Sequence, residues 1–258
     1  MSEPLRRDPA PLPLAATGLA SLLIVPFVLP LHALPVTTFY QDWMAIALGC
    51  ITFIAGIWPK QGESLAIPRS VVLPAGLCLL LLIQALFGRL EYWQVGVLGV
   101  FYLLWSIAML YSGATLHRRL GVDRLCTLAA RASCAGSVLA AVIGSLQLTQ
   151  WPAGGLIMPM IGPRERANLA QPNHFPAYTR LGLFSLCFLY VRGEIRRLNA
   201  AVAAALLLLA ADLSGSRSIW AYLGAATLIA LWSHWRARPG RCCIWSHWCL
   251  PGWFWRRC

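Results

Sequence analysis

Eight long apolar runs, separated by short polar segments, constrain the fold of this sequence more than any other feature. Each run holds roughly twenty residues with very few charges, the length that an α-helix needs to cross about 30 Å of hydrocarbon. Only 12% of the 258 residues are charged and the mean hydropathy is +0.65, whereas ordinary soluble domains carry about twice that charge. We therefore predict an all-α polytopic membrane protein with about eight transmembrane helices. The predicted spans are 13–31, 43–58, 70–88, 94–113, 126–149, 175–191, 199–214 and 219–235.

The basic residues lie in short clusters between these runs, and strong and weak clusters alternate along the chain. Twelve Lys and Arg residues fall on one predicted side of the membrane and four fall on the other. Because cytoplasmic loops carry an excess of Lys and Arg, the N-terminus and the end of the eighth span are both predicted to be cytoplasmic. The outer loops are then residues 32–42, 89–93, 150–174 and 215–218. This distribution accounts for the net charge of +12 without a nucleic-acid partner.

Residues 1–12 are predicted to form a cytoplasmic tail, and residues 13–238 a transmembrane domain. Arg6 and Arg7 precede the first apolar run, as basic residues do in a secretory signal peptide. No A-x-A-like cleavage site follows the run, however, and further spans come after it. We therefore expect this segment to be retained as the first helix.

The last eighteen residues, RCCIWSHWCLPGWFWRRC, hold four of the nine Cys and four of the twelve Trp residues. A leucine-rich stretch of CTG codons gives this composition when it is read one base out of phase, since TGC and TGG encode Cys and Trp. We interpret residues 239–258 as an aberrant tail that follows a frameshift near residues 236–242. One alternative is an interfacial anchor of Trp and Arg. The other is a metal site, although adjacent Cys residues and irregular spacing suit structural zinc poorly. Its ligands would be Cys242, Cys243, His247 and Cys249.

The longest predicted outer loop ends in the stretch QPNH, directly before the sixth apolar run. Gln171, Asn173 and His174 therefore lie where the chain re-enters the membrane. Arg180 follows seven residues after Asn173, so both can face the same side of a helix. A charge within a span normally faces a cavity or a partner. The alternative is that Asn173 only caps the helix and His174 is an interfacial polar residue.

Further polar side chains are predicted on the same outer face, in three segments. They are the arginines upstream of QPNH, a Ser-rich turn between spans seven and eight, and the first outer loop. Such groups suit an anionic headgroup, above all a diphosphate, because Arg makes paired hydrogen bonds to phosphate oxygens. The alternatives are a plain Gly/Ser turn with a snorkelling Arg, and an interfacial belt of aromatic residues. The residues are Arg164, Arg166, Asp212, Ser214, Ser216, Arg217, Ser218, His32, Tyr40 and Asp42.

Three segments together resemble the O-antigen ligase superfamily. They are HALPVTTFYQDWMA in the first outer loop, RERANLAQPNHFPAYTRLGL before span six and LSGSRSIW before span eight. Within that superfamily they are most similar to the protein-glycosylating branch, the PglL-type O-oligosaccharyltransferases that modify pilins. The resemblance covers about residues 10–238, and its most specific part is AQPNH followed by SGSRS at this spacing.

The resemblance implies a glycosyltransferase that acts at the periplasmic face of the bacterial inner membrane. The donor would be an oligosaccharide on undecaprenyl diphosphate, and the acceptor a Ser or Thr hydroxyl of pilin or another exported protein. No metal or cofactor is implied, since arginines can stabilise the charge that grows on the leaving diphosphate. A base, commonly His, would deprotonate the acceptor hydroxyl. Related enzymes use a lipid A core sugar as the acceptor, or polymerise O-antigen.

Carried onto this chain, the resemblance implies roles for residues of all three segments. The arginines would contact the diphosphate, and the QPNH residues would line the glycan or headgroup site. The imidazole before span six would be either the base or a donor contact. The catalytic residues would be His174, Gln171 and Arg217. The substrate-binding residues would be Arg164, Arg166, Asn173, Arg180, His32 and Tyr40.

The sequence departs from this family beyond the eighth span. Family members are longer and carry a large periplasmic loop there, which usually holds the catalytic histidine. We therefore expect this chain to lack that base and the acceptor-side loop, and to be impaired as an isolated chain. From another functional class, the alternative is a transporter or flippase for a lipid-linked anion. Transporters place their binding residues near the bilayer midplane, whereas the polar residues here cluster at the predicted outer interface.

Overall fold

The computed structural model describes residues 11–31, 39–57, 67–160, 164, 166–169 and 173–236. Within these residues the chain forms eight α-helices and a short 3-10 helix, with no strand. The predicted all-α architecture is confirmed for this part of the chain, and each predicted span holds one helix. The helices are α1 (Pro11–Val28), α2 (Phe39–Ile57), the 3-10 helix Arg69–Val71, α3 (Val72–Leu86), α4 (Trp93–Leu120), α5 (Val122–Leu148), α6 (His174–Val191), α7 (Arg197–Leu213) and α8 (Ser218–Arg236).

Four of the described helical stretches are long and apolar enough to cross a membrane. Shorter apolar stretches lie in α1 and α8. Helix α6 begins at His174 and contains Arg180, and both residues lower the hydropathy of its first half. The chain therefore has the helices of a membrane protein, while the number of eight spans and the cytoplasmic N-terminus stay predictions. The four stretches are Phe39–Ile57, Arg69–Leu86, Trp93–Leu120 and Val122–Leu148.

Contacts between helices divide the chain into two compact units, which separate after Gly215. Helices α1 to α7 belong to the first unit, and α8 belongs to the second. In the first unit α5 is central, because it packs against α1, α4, α6 and α7. Half of the apolar stretch of α5 is buried, against 11% of that of α4. Helix α4 therefore leaves most of its apolar surface available to lipid.

The central position of α5 depends on small side chains at its crossing with α6. A Cβ atom added to Gly136 of α5 would collide with the hydroxyl of Tyr178, and one added to Gly182 of α6 would collide with the side chain of Ser137. In lipid no hydrophobic effect drives helices together, so close van der Waals packing between small residues has to do so. Further small residues on the buried face of α5 are Ala130, Ala132, Ser133, Ala140, Ala141 and Gly144.

Two ion pairs tie the turn between α6 and α7 to the first part of α5. Arg192 Nη1 lies 2.9 Å from Asp123 Oδ1, and Arg131 pairs with Glu194. The start of α5 and the α6–α7 turn therefore share one end of the first unit. His174, at the other terminus of α6, lies at the opposite end.

Candidate functional site

Four helix termini meet at one end of the first unit, which we call the His174 end. Helix α1 ends at Val28, α2 begins at Phe39, α5 ends at Leu148 and α6 begins at His174. The connection between α5 and α6 folds back across this end. Two buried amide side chains hold that connection in place, one from the connection itself and one from α5.

Asn168, in the connection, has only 1% of its surface exposed. Its side-chain Nδ2 donates to the carbonyl oxygens of Val28 (2.8 Å) and Leu156 (2.9 Å), and its Oδ1 accepts from the backbone N–H of Met158 (3.0 Å). Its own carbonyl oxygen accepts from Nε2 of Gln41, at 2.9 Å. Both donors and the oxygen of the Asn168 side chain are therefore bonded. Through these bonds and its own carbonyl oxygen, Asn168 links α1, α2 and the α5–α6 connection.

Gln147 is the second buried amide, and it lies in the last turn of α5. Its Nε2 donates to the carbonyl oxygens of Met158 (2.9 Å) and Ala167 (3.3 Å), and its Oε1 accepts from the backbone N–H of Arg166 (3.2 Å). These bonds satisfy backbone groups of an irregular loop that would otherwise be buried without partners. The loop is thereby fixed to the end of α5.

A groove of about 450 Å³ opens between α1, α2 and α6 at the His174 end. We call it the α1–α2–α6 groove. His174, Asp42 and Gln41 supply its polar groups, whereas Phe27 and Leu181 are among its apolar walls. The groove thus joins a polar region to a hydrocarbon-like surface.

Tyr178 fixes the relation between the two walls of the groove. Its hydroxyl donates to the carbonyl oxygen of Leu23 in α1, at 2.6 Å, and its ring stacks on Phe27 with centroids 4.2 Å apart. Its carbonyl oxygen accepts from Oγ of Ser137 in α5, at 2.9 Å. One residue of α6 therefore binds both α1 and α5, and this sets the width of the groove.

His174 and Asp42 give the groove its chemical capability. The His174 side chain is exposed at the first residue of α6, and Asp42 lies in the first turn of α2. Both line the same groove. Imidazole and carboxylate groups are the kinds of side chain that enzymes use as general bases.

The structure places the other predicted residues of α6 differently. Asn173 precedes α6, but its side chain makes no capping hydrogen bond. The groove is lined by His174, Ala177, Tyr178 and Leu181, which share one face of α6. Asn173 and Arg180 do share a face, as their spacing of seven predicts, but it is the neighbouring face. Arg180 is not part of the groove lining.

The two arginines of the connection lie close to other parts of the first unit. The Arg164 side chain lies beside Gly215, where an added Cβ would be 3.4 Å from Arg164 Nε. The Arg166 backbone is bonded to Gln147. The connection and the end of α7 therefore meet, which brings Arg164 next to the Ser-Gly turn singled out in the sequence.

Of the remaining predicted residues, Tyr40 is not part of the groove lining. Tyr40 is exposed, and its ring meets that of Phe39 edge-on with centroids 5.4 Å apart. Arg217 belongs to the second unit, where its carbonyl oxygen accepts from the N–H of Trp220 at 3.3 Å. His32 and Gln171 lie outside the described residues.

Sequence reasoning missed the residues that shape the site. Gln147, Asn168 and Tyr178 are uncharged, and although Asn168 and Tyr178 lie within the segment RERANLAQPNHFPAYTRLGL, the sequence pattern gives none of the three a role. Gln41 and Asp42 lie within the segment HALPVTTFYQDWMA, and of the two only Asp42 is among the polar residues predicted on the outer face. Both line the same groove as His174, a proximity that the spacing along the chain does not encode.

Comparison with known proteins gives one relationship. The chain is 26% identical over 207 residues to a protein of Acinetobacter baylyi named "General O-oligosaccharyltransferase". The aligned region is 79% of this chain and 35% of that protein, so the chain spans about a third of the relative's length. No protein-family model and no solved structure matches the chain. The chain is thus similar to an O-oligosaccharyltransferase over most of its own length.

Proposed function

We propose that this chain binds a lipid-linked oligosaccharide and takes part in transferring the glycan to a hydroxyl group of an acceptor protein. The donor is an oligosaccharide on undecaprenyl diphosphate, and the acceptor is a Ser or Thr of pilin or another exported protein. The likeness to a general O-oligosaccharyltransferase supports the reaction class. The observation that carries the proposal is the α1–α2–α6 groove, because it joins polar groups to apolar walls.

A polyprenyl diphosphate needs a site with both kinds of surface. The apolar walls of the groove suit its hydrocarbon chain, and arginines suit its diphosphate because they form paired hydrogen bonds with phosphate oxygens. Arg164 and Arg166 lie on the connection that closes the same end of the unit. Since the carboxylate of Asp42 repels phosphate oxygens, we place the diphosphate toward these two arginines and away from Asp42.

The reaction then follows from the groups at this end. His174 accepts the proton of the acceptor hydroxyl as the hydroxyl oxygen attacks the anomeric carbon of the glycan. The bond between that carbon and the diphosphate oxygen breaks, and the diphosphate leaves with the electron pair. Arginine side chains stabilise the negative charge that develops on the leaving group.

We place the chain in the inner membrane of a bacterium, with the His174 end facing the periplasm. In this proposal the membrane is crossed eight times and both ends of the eight-helix region are cytoplasmic. The excess of basic residues in alternate loops supports this orientation. The two ion pairs between the start of α5 and the α6–α7 turn then lie on the cytoplasmic side.

The proposal is tested by glycan transfer in a bacterial strain that lacks its own O-oligosaccharyltransferase. The full chain is expressed with a lipid-linked oligosaccharide and an exported pilin, and glycosylated pilin is quantified. We expect measurable but impaired transfer by the chain, and a further loss of about 100-fold in His174→Ala, because general base catalysis contributes at least that factor. His117→Ala, at the last turn of α4, is the matched control and should transfer normally. A folded chain that transfers no glycan would contradict the proposal.

A further inference from the structure

A second cavity, of about 480 Å³, lies beside the last turn of α5, and we call it the α5 cavity. Its lining includes Trp151, Gln150, Gln147, Gly155 and Met158, and none of the described residues that line it is charged. A site without charges does not favour a diphosphate, because nothing in it balances phosphate. Its aromatic ring and amides instead suit an uncharged ligand that has both apolar faces and hydroxyl groups.

The end of α5 fixes the backbone of the two residues that would meet such a ligand. The N–H of Trp151 donates to the carbonyl of Leu146 (3.1 Å), and that of Gln150 donates to the carbonyl of Gln147 (3.1 Å). This pair of bonds forms a Schellman cap, whose residue after the C-cap takes a left-handed conformation. That residue is Gln150, with φ of +52°. A glutamine in a position that usually holds glycine is the outlier from which a functional hypothesis starts.

The side chains of these two residues are available to a ligand. Trp151 has 62% of its surface exposed, although it lines the cavity. The Gln150 side chain is exposed, and it makes no hydrogen bond within the described part of the chain. Gln147, by contrast, uses its amide to hold the connection. Trp151 therefore offers a flat apolar face, and Gln150 offers a donor and an acceptor beside it.

We propose that the α5 cavity binds an uncharged sugar of the glycan, with the sugar ring on Trp151 and its hydroxyl groups bonded to Gln150. This inference rests on the proposed function, since it names the subsite for the sugar part of the same donor. Asn168 is hydrogen-bonded to a residue of each of the two sites. Asn168 accepts from Gln41 of the α1–α2–α6 groove through its carbonyl oxygen, and from Met158 of the α5 cavity through its Oδ1. A donor with its lipid in the groove thus has its sugars directed toward the cavity.

The experiment measures the binding of two lipids to the full chain in lipid nanodiscs. One probe is undecaprenyl diphosphate alone, and the other is the same lipid carrying a neutral disaccharide that begins with N-acetylhexosamine. The free disaccharide is titrated in parallel. For the unmodified chain we expect the glycan-bearing lipid to bind about tenfold more tightly than the bare lipid, the equivalent of about 1.4 kcal/mol.

The variants assign this difference to individual side chains. Trp151→Ala and Gln150→Gly should each remove most of the tenfold preference and leave the affinity for the bare lipid unchanged. Gln150→Gly matters because glycine accepts the left-handed conformation, so this variant keeps the fold. Trp151→Phe should retain part of the preference, since a smaller aromatic face remains. Trp93→Ala, another exposed tryptophan at a helix end, is the matched control and should bind both lipids as the unmodified chain does.

The possible results separate the failure of this inference from the failure of the proposed function. If both lipids bind the unmodified chain equally, the cavity does not recognise sugar, whereas the donor groove stands. If Trp151→Ala weakens both lipids by the same factor, Trp151 is a membrane anchor. If neither lipid binds, the proposed function fails, and the free disaccharide then decides the inference. Binding of the free disaccharide that Trp151→Ala abolishes would support a sugar site, and no binding would reject it.

Discussion

Asn168 illustrates how one uncharged residue organises the end of this helical unit. Both donors and the oxygen of its side-chain amide are bonded to three backbone groups, one at the end of α1 and two in the first half of the α5–α6 connection. A hydrogen bond contributes only about 0.5–1.5 kcal/mol net, but a buried group left without its partner costs about 1–3 kcal/mol. The stabilisation at Asn168 therefore comes mainly from the backbone groups that would otherwise be stranded.

Asn168→Ala should lower the free energy of unfolding by about 3 kcal/mol or more, because three buried backbone groups lose their partner at once. The measurement is unfolding in detergent, followed by circular dichroism or by differential scanning fluorimetry. Asn199→Ala, on the exposed surface of α7, is the matched control and should be close to neutral. Equal stability of the two variants would refute the role assigned to Asn168.

Asn173→Ala should change the stability by less than about 0.5 kcal/mol, whereas loss of a working N-cap costs about 1 kcal/mol. The reason is that the Asn173 side chain makes no capping hydrogen bond to α6. The same unfolding assay checks this expectation. A loss of a full kcal/mol would restore the capping interpretation that the sequence pattern favours.

The contrast between these two asparagines indicates what can be predicted at this scale. Asn173 attracts attention because it stands in QPNH directly before an apolar run, whereas Asn168 lies five residues earlier, outside that motif. Yet it is the Asn168 side chain that makes the hydrogen bonds to the backbone at this end of the unit. Its partners, Val28 and Gln41, are separated from it by more than a hundred positions along the chain, so no local pattern reveals them.

At the level of helices, α3, α5, α6 and α7 each end with a positive-φ residue after the C-cap, and in one of them this residue is not glycine. Gly88, Gly193 and Gly215 take positive φ after α3, α6 and α7, whereas α5 uses Gln150 in the corresponding position. For residues with a Cβ atom this conformation costs roughly 1–2 kcal/mol. The exception lies beside the α5 cavity, as expected if a side chain is needed there.

Gln150→Gly should therefore raise the free energy of unfolding by about 1 kcal/mol, since glycine removes the steric cost of the left-handed conformation. Gly193→Gln, the reciprocal change at the end of α6, should lower it by a similar amount. Both are measured by unfolding in detergent. If Gln150→Gly destabilised the chain, the cost assigned to Gln150 would be wrong.

Gly136→Ala should destabilise the α5–α6 crossing by about 1–3 kcal/mol, because the added Cβ collides with the hydroxyl of Tyr178. Gly76→Ala, on α3, is the matched control, since nothing lies within 4 Å of its added Cβ. Gly76→Ala should be neutral or slightly stabilising. The unfolding midpoints of the two variants provide the comparison, and similar midpoints would contradict the tight crossing.

The helices themselves follow closely from the sequence. Each predicted span contains one helix, because an apolar run of this length has few ways to satisfy its backbone in lipid other than α-helix. The ends are less predictable. Helix α4 continues to Leu120, seven residues past its predicted end, because the segment after residue 113 is polar yet still favourable for helix. Hydropathy predicts where α4 leaves the membrane, but the helix continues beyond that point.

For the whole molecule, the orientation in the membrane is the main property that charge alone predicts. It is tested by single cysteines in a cysteine-free background, with a maleimide that does not cross membranes. Gln150→Cys should be labelled in intact spheroplasts, and Glu194→Cys only after permeabilisation, because they lie at opposite ends of the first unit. The reverse pattern would invert the proposed orientation and place the donor groove on the cytoplasmic side.

The way the connection is held at the His174 end affects how the protein can evolve. Gln147 and Asn168 bond to backbone atoms of Leu156, Met158, Arg166 and Ala167, not to their side chains. Apart from Asn168 itself, these bonds therefore do not depend on which side chains the connection displays. Substitutions along it can alter which ligands are accepted without dismantling the framework, so new specificities are open to selection at little cost to folding.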